Sequence, residues 1–425
     1  MSPAIRKRGK RAVSGDLCAF RSGERSRTHT NRNDSELRDE CVRHPDHPVN
    51  AVPIYDSSIS CGVPQKISRP VRFAIVGTGT CPPCGLARFT AGLASALGKS
   101  AVSWVADTPD GSMAAGRSQV DVAIVQHEVG TTDDVVEIVD GLGVPSIVVV
   151  HSIPEQPTAQ QCSSLEAIAA IADRVVVMSE AARQRLYLTY AMDRRKIATI
   201  PHGATLPTVP RVKRPSRPTI LTWGLLRPGK GIERVIDVMP TLGDIPGRPR
   251  YLVAGPMDPA IPVAEAEAYR DARVEQARRL GVADSVSFDP RYYDNSSLAA
   301  LIQQASVVVV PNDSTAQVSS GVLVDALANG RPIVATAFSH AIELLASGAG
   351  MVVEHDDPVA LAGALRQIIT QPRLAGSMAA EVRRRAPEVG WPVVAAAYTE
   401  LAQRVMAEPR ADRFGRGAET TESRD

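Results

Sequence analysis

Residues 307–335 read VVVVPNDSTAQVSSGVLVDALANGRPIVA. The run Val307-Val308-Val309-Val310 is apolar without interruption, of strand length, and closed by Pro311, which marks a buried strand. A polar loop follows from Asp313 to Ser320. From Gly321 the apolar residues Val322, Leu323, Ala326 and Leu327 recur on one helical face, and Gly330 stops the helix. Ile333-Val334-Ala335 then opens another strand. Strand, helix and strand joined in this way make parallel neighbours with a helix laid over the sheet.

The same rhythm runs outward from this unit. Toward the C-terminus it continues through strand 351–353 and helical patterns at 341–345 and 359–369. Toward the N-terminus, strands are expected at 220–223, 251–254 and 286–288, with helices at 232–242, 264–280 and 298–304. Residues 207–218 hold four prolines and four basic residues, the composition of a linker. Before it lies a second series. Its strands are a run from Val71 ending in Gly77, then 102–106, 122–125, 147–150, 175–178 and 197–200. Helical patterns fall at Phe89, Leu93 and Leu97 and at 133–139, 160–172 and 180–188. Two consecutive α/β series imply two doubly wound parallel-sheet domains, with ligands at the carboxyl ends of the strands and a cleft between the domains.

The expected organisation is an extension over 1–68, a first domain over 69–206, the linker, a second domain over 219–388, a crossover helix over 389–406 and a polar tail over 407–425. Composition agrees with a globular chain. Of 425 residues, 44% are apolar and 22% charged, which excludes a collagen, a coiled coil or a wholly disordered chain. The net charge of +2 divides unevenly. Residues 1–70 hold 13 basic and 8 acidic residues, for +5, and the remainder carries −3. With aromatics at only 4%, neither specific nucleic-acid binding nor a base-stacking surface is expected. No apolar run reaches the roughly 18 residues of a membrane span. A basic start without an apolar segment, and six cysteines, point to a cytoplasmic chain with reduced thiols. Weak peripheral contact with the inner membrane face stays open.

Several loops carry chemistry. Gly77-Thr78-Gly79 begins like a dinucleotide loop, but Pro82 stands where its third glycine belongs. Cys81 and Cys84 have redox or zinc spacing without the further ligands a zinc site needs. His127 and His151 each close a strand on the ligand side of the first sheet. Arg227 and Lys230, in the glycine-containing loop 224–231, supply positive charge beside a helix start, a cradle for a diphosphate. Ser319, Ser320 and Gly321 offer hydroxyls and N–H groups at the start of the helix that follows them, a second anion site. Asp325 lies one turn further and could accept hydrogen bonds from ribose hydroxyls. A tight turn, an exposed basic loop and a solvated carboxylate would produce the same strings without a ligand.

Taken together these residues resemble the retaining nucleotide-sugar glycosyltransferases of the GT-B type, family 4, over about residues 70–406. The segments carrying the resemblance are 79–91, Gln126-His127-Glu128, Val150-His151-Ser152, 172–180, Ile200-Pro201-His202-Gly203, Lys230-Gly231 and, most specifically, 324–335. Trp391 resembles the start of the family's crossover helix. The resemblance implies two Rossmann-like domains facing a cleft. It implies transfer of a hexose, mannose or glucose, from a nucleotide-diphosphate sugar to a carbohydrate, lipid-linked or small-molecule acceptor, with no cofactor and no metal. Lys230, with Arg227 and the loop around Ser319, Ser320 and Gly321, would hold the diphosphate, and Asp325 the ribose. His151, His127 and Gln317 would stand at the reacting sugar, and Gly79 and Gly85 would belong to the acceptor-side loop. Two positions depart from the family pattern. Gln317 and Asp325 replace the usual pair of glutamates, and Leu225 stands where an arginine is usual. The alternatives are a sugar-nucleotide-binding protein with weakened catalysis and a nicotinamide-dependent oxidoreductase.

Overall fold

The structure, a computed structural model, describes residues 69–78, 85–106, 119–129, 135–208 and 215–408. The extension over 1–68, Gly79, Cys81 and Cys84, the linker centre 209–214 and the tail from 409 lie outside the described residues.

The first half builds β1 (Phe73–Thr78), α1 (Gly85–Leu97), β2 (Ala101–Ala106), β3 (Val122–His127), α2 (Val135–Gly141), β4 (Ser146–Val150), α3 (Ala159–Ile171), β5 (Arg174–Val177), α4 (Glu180–Thr189) and β6 (Ile197–Thr199). Its six strands pair in parallel in the order β2-β1-β3-β4-β5-β6. Every residue of β3 and β4 is buried, the reason these strands read as unbroken apolar runs rather than alternating ones. Alternate residues serve opposite faces. Ala74, Val76, Ala123 and Val125 pack with Ile138, Leu165 and Ile168. Phe73, Ile75, Val122 and Ile124 pack with Phe89 and Leu93.

The second half builds β7 (Thr219–Trp223), α5 (Ile232–Val238), β8 (Arg250–Ala254), α6 (Val263–Arg279), β9 (Val286–Asp289), α7 (Asn295–Gln304), β10 (Val307–Val310), α8 (Gly321–Ala328), β11 (Ile333–Thr336), α9 (Ser339–Leu345), β12 (Gly350–Val353), α10 (Pro358–Thr370), α11 (Pro372–Arg385) and α12 (Trp391–Ala407). The parallel order is β12-β11-β10-β7-β8-β9. The chain is thus α/β with the doubly wound GT-B arrangement. Helix starts follow their caps. Thr158 and Gln161 form a capping box on α3. Ser179 caps α4, Asp294 caps α7 and Asp357 caps α10.

The last helix leaves the second half and returns to the first. Val394, Tyr398 and Leu401 of α12 join the core of Phe73, Ile75, Phe89 and Leu93. Burial of Val394 and Leu401 is worth about 1.5–3 kcal/mol each. Ala204 N–H donates to the Val389 carbonyl at 2.8 Å, and Trp391 N–H donates to the Ala204 carbonyl at 3.1 Å. The Trp391 indole lies between two glycines. A Cβ on Gly92 would sit 2.3 Å from the ring, and one on Gly203 2.2 Å from it.

The strand readings agree with the structure to within a residue or two. The main omission is α11. It opens at Pro372 and contains Gly376, both of which break a propensity reading, yet Met378, Ala379 and Val382 are buried on one face. The helix expected at 232–242 divides into α5 and a 3₁₀ turn at Met239–Leu242, where Pro240 interrupts the α ladder. No helix among the described residues is long and apolar enough to cross a membrane.

Candidate functional site

In the second sheet, β7 lies between β8 and β10, so the chain departs from it in both directions. Doubly wound sheets bind ligands in the crevice at such a point. The two loops that leave it are stitched together. Asp313 N–H donates to the Gly229 carbonyl at 3.0 Å. Gly231, at φ +63°, approaches so closely that a Cβ there would lie 1.7 Å from the Pro311 carbonyl oxygen. Arg234 Nε, on α5, donates to Asp313 Oδ1 at 2.9 Å and fixes the same junction.

The cationic loop supplies two groups of different kind. Lys230 is half-buried and lines a small cavity with Thr222, Trp223, Gly224 and Val253. Burial, helped by the nearby Arg227 charge and opposed by Asp258, pushes the Lys230 ammonium down to about 8. A partly desolvated ammonium gains more from an anion than one in water does. Arg227 is exposed, with Nε 3.7 Å from Oδ2 of the buried Asp258.

The loop before α8 is braced by its own side chains. Gln317 Nε2 donates to the Ser319 carbonyl at 2.7 Å, and its Oε1 accepts from Asn312 Nδ2 at 2.6 Å. That position uses a donor and an acceptor together, and an amide supplies both where a carboxylate supplies only acceptors. Ser320 Oγ accepts from Leu323 N–H at 3.3 Å and caps α8. Ser320 N–H is not the open donor that the sequence suggests, because it is given to His340 Nδ1 at 3.0 Å. His340 is fully buried, and burial lowers its pKa to about 3, keeping the imidazole neutral. Ser319 Oγ points to Met178 Sδ at 3.6 Å. Asp325 is largely buried, and that burial raises its carboxyl to about 6, against the opposing pull of Arg88.

Across the cleft, His151 follows β4, and its N–H donates to the His127 carbonyl at 2.9 Å. His151 Nε2 is 2.7 Å from Gln126 Oε1. Because an amide oxygen only accepts, Nε2 carries the proton and Nδ1 is left as the acceptor. Burial lowers His151 to about 3, with His202 and His127 adding to the effect. His127 is buried and lowered to about 4, and its Nδ1 has no hydrogen-bond partner among the described residues. Phe89 sets its ring edge-on to His151 at 4.9 Å and to His202 at 5.1 Å. His202 Nδ1 lies 2.8 Å from the Gly203 carbonyl, which fixes the proton there and leaves Nε2 facing the start of α8. A Cβ on Gly321 would be 3.0 Å from that Nε2. Gly85 opens α1, and among the described residues none would meet a Cβ there.

Further contacts close the two domains on each other. Ser179 Oγ donates to the Val318 carbonyl at 2.6 Å. The Glu343 carboxylate accepts from Glu180 N–H at 2.9 Å and Ala181 N–H at 2.8 Å, capping α4 from the opposite domain. Arg185 donates to the Ala316 carbonyl. The structure therefore brings His127 and His151 together, joins the loops of Lys230 and Gln317, and connects the two sides through His202 and Arg88. Arg88, His202 and His340 are not among the site residues that the sequence marks out. His202 carries the same signal as His127 and His151, a histidine directly after a strand. Arg88 and His340 stand in helices with no such mark.

Residues 217–371 match the family model described as glycosyl transferases group 1. Among curated proteins, D-inositol 3-phosphate glycosyltransferase of Streptomyces avermitilis is 27% identical over 60% of this chain and 56% of its own length. The protein of that name from Kineococcus radiotolerans is 27% identical over 57% of this chain and 59% of its own length. The chain thus matches between half and two thirds of the length of these relatives. Among solved structures, sucrose-phosphate synthase from Thermosynechococcus elongatus superposes with a TM-score of 0.63 at 18% identity, covering 79% of this chain and 100% of that one. Anabaena HepE in complex with UDP and glucose gives 0.62 at 15% identity, covering 78% and 99%. Residues 217–371 thus resemble the glycosyl transferases group 1 family, on a chain whose fold is the GT-B fold shared with these solved structures.

Proposed function

We propose that this chain is a retaining glycosyltransferase that moves a hexose, mannose or glucose, from a nucleoside-diphosphate sugar to a hydroxyl of a carbohydrate, lipid-linked or small-molecule acceptor. The observation that carries the reading is the stitching of loops 224–231 and 311–320 at the switch point of the second sheet. It sets Lys230, Arg227 and the start of α8 around one crevice, with Asp325 one turn along the helix. The complex of HepE with UDP and glucose supports a nucleotide sugar as the donor class.

In this reading the bond from the anomeric carbon to the diphosphate breaks, and negative charge grows on the leaving oxygen. Lys230, Arg227 and the dipole of α8 meet that charge, so the diphosphate leaves without a metal. Asp325 accepts from the ribose hydroxyls. His151, held by Gln126 and kept neutral by burial, faces the oxocarbenium-like sugar without repelling it. The acceptor hydroxyl oxygen then bonds to the same face that the diphosphate leaves, and its proton passes to the departing diphosphate oxygen. The cytoplasm is the proposed location, with any membrane contact peripheral. The test is transfer or donor hydrolysis by purified protein across a panel of sugar nucleotides.

A second reading, a sugar-nucleotide binder with weakened catalysis, is favoured by the bracing of Gln317 between Asn312 and Ser319. Tight donor binding without turnover would select it. The nicotinamide alternative rests on the Gly77-Thr78-Gly79 string, of which Gly79 lies outside the described residues.

A further inference from the structure

Arg88 belongs to α1 of the first domain, yet its Nη2 donates to Asp325 Oδ2 at 3.3 Å and to Asn295 Oδ1 at 3.2 Å, both in the second domain. It is one-third exposed, whereas Asp325 is largely buried. A buried carboxylate is costly unless something pairs with it. Arg88 provides that pairing at one of the two carboxylate oxygens, Oδ2.

We propose that Arg88 and the ribose diol of the donor are alternative partners of Asp325, so that Arg88 is a positioning residue that sets how strongly the site prefers a ribonucleotide. The inference rests on Asp325 as the ribose carboxylate. A diol offers two O–H donors to that carboxylate in place of the guanidinium contact. A nucleotide without those hydroxyls makes no such exchange and leaves Arg88 on Asp325. Because the guanidinium also attracts any diphosphate, its effect on the diol is read from a ratio of two nucleotides and not from one affinity.

The experiment uses the full chain, as wild type, Arg88→Gln and Arg88→Lys. Each is titrated calorimetrically with UDP and with 2′,3′-dideoxy-UDP, and with the GDP and ADP pairs if uridine nucleotides do not bind. Arg88→Gln is expected to raise the ribo-to-dideoxy affinity ratio about three- to tenfold, with Arg88→Lys intermediate. An unchanged or lower ratio overturns the proposal, since loss of a merely structural arginine would affect both nucleotides alike. If no nucleoside diphosphate binds any of the proteins, the ribose reading of Asp325 falls together with the proposed donor. The Arg88 and Asp325 link is then decided by a thermal double-mutant cycle with Asp325→Asn, in which additive effects would refute it and non-additive ones uphold it.

Discussion

The backbones of Gly229 and Asp313 are joined by a 3.0 Å hydrogen bond, although 84 residues of chain separate them. This single contact fuses the two loops that leave the centre of the second sheet. Gly231 completes the junction by lying against the Pro311 carbonyl. Gly231→Ala would force a side chain into that oxygen and hold alanine at a positive φ that costs about 1–2 kcal/mol by itself. A shift of this kind is expected to weaken nucleoside-diphosphate binding roughly 10²-fold. Calorimetric titration, alongside a melting curve to confirm folding, checks it.

Lys230 is held at about 8 by burial, and in the proposed function its charge meets the leaving diphosphate. Lys230→Met is expected to lower kcat by roughly 10²–10³-fold. The same change removes a desolvated charge, so Tm should rise by about 2–4 °C. Activity and melting measured on one preparation test both signs together. Donor binding by the wild type should also decline as pH rises through 8, where the ammonium discharges.

Four histidines, the buried His127 and His340 and the half-buried His151 and His202, have folded pKa values pushed from 6.5 down to about 4 and 3 and to about 3 and 4 respectively. Depressed values mean that the unfolded chain takes up protons first. Stability is complete above about pH 6.5 and is lost as pH falls from there toward 4 and 3, at up to about 1.4 kcal/mol per pH unit for each histidine. Denaturant midpoints at pH 7.5, 6 and 5 should fall steadily. A flat profile would mean that these imidazoles are not held neutral.

Trp391 fills the space between Gly92 and Gly203 and begins the helix that ties the chain's end to the first domain. Trp391→Ala should cost about 3–5 kcal/mol. Urea denaturation provides the measurement. Gly203→Ala should also destabilise the chain, because its Cβ would meet the indole.

Much of this was legible in the amino-acid order. Buried parallel strands announce themselves as short apolar runs such as Val307-Val308-Val309-Val310. Helix starts show in Thr158, Ser179 and Asp294. The strand-end histidines and the Lys230 loop were visible because a ligand side exists wherever strands end in parallel sheets. What was not legible depends on distances through space. Arg88 is one arginine on an ordinary helix until the fold carries Asp325 to it. Ser320 N–H looks free until α9 brings His340 against it. The loop bracing by the Gln317 amide shows only once the fold sets Asn312 and the Ser319 carbonyl around it. Helix α11 was hidden because Pro372 and Gly376 outweigh its apolar stripe.

The most direct measurement is a transfer assay with purified protein, nucleotide-activated hexoses and a panel of sugar and polyol-phosphate acceptors, with the product anomer read by NMR. Retaining transfer predicts turnover of one nucleoside-diphosphate hexose, a product that keeps the donor's anomeric configuration, and loss of that product in Lys230→Met. Inverted product, or failure of every nucleoside diphosphate and every sugar nucleotide to bind, would contradict it.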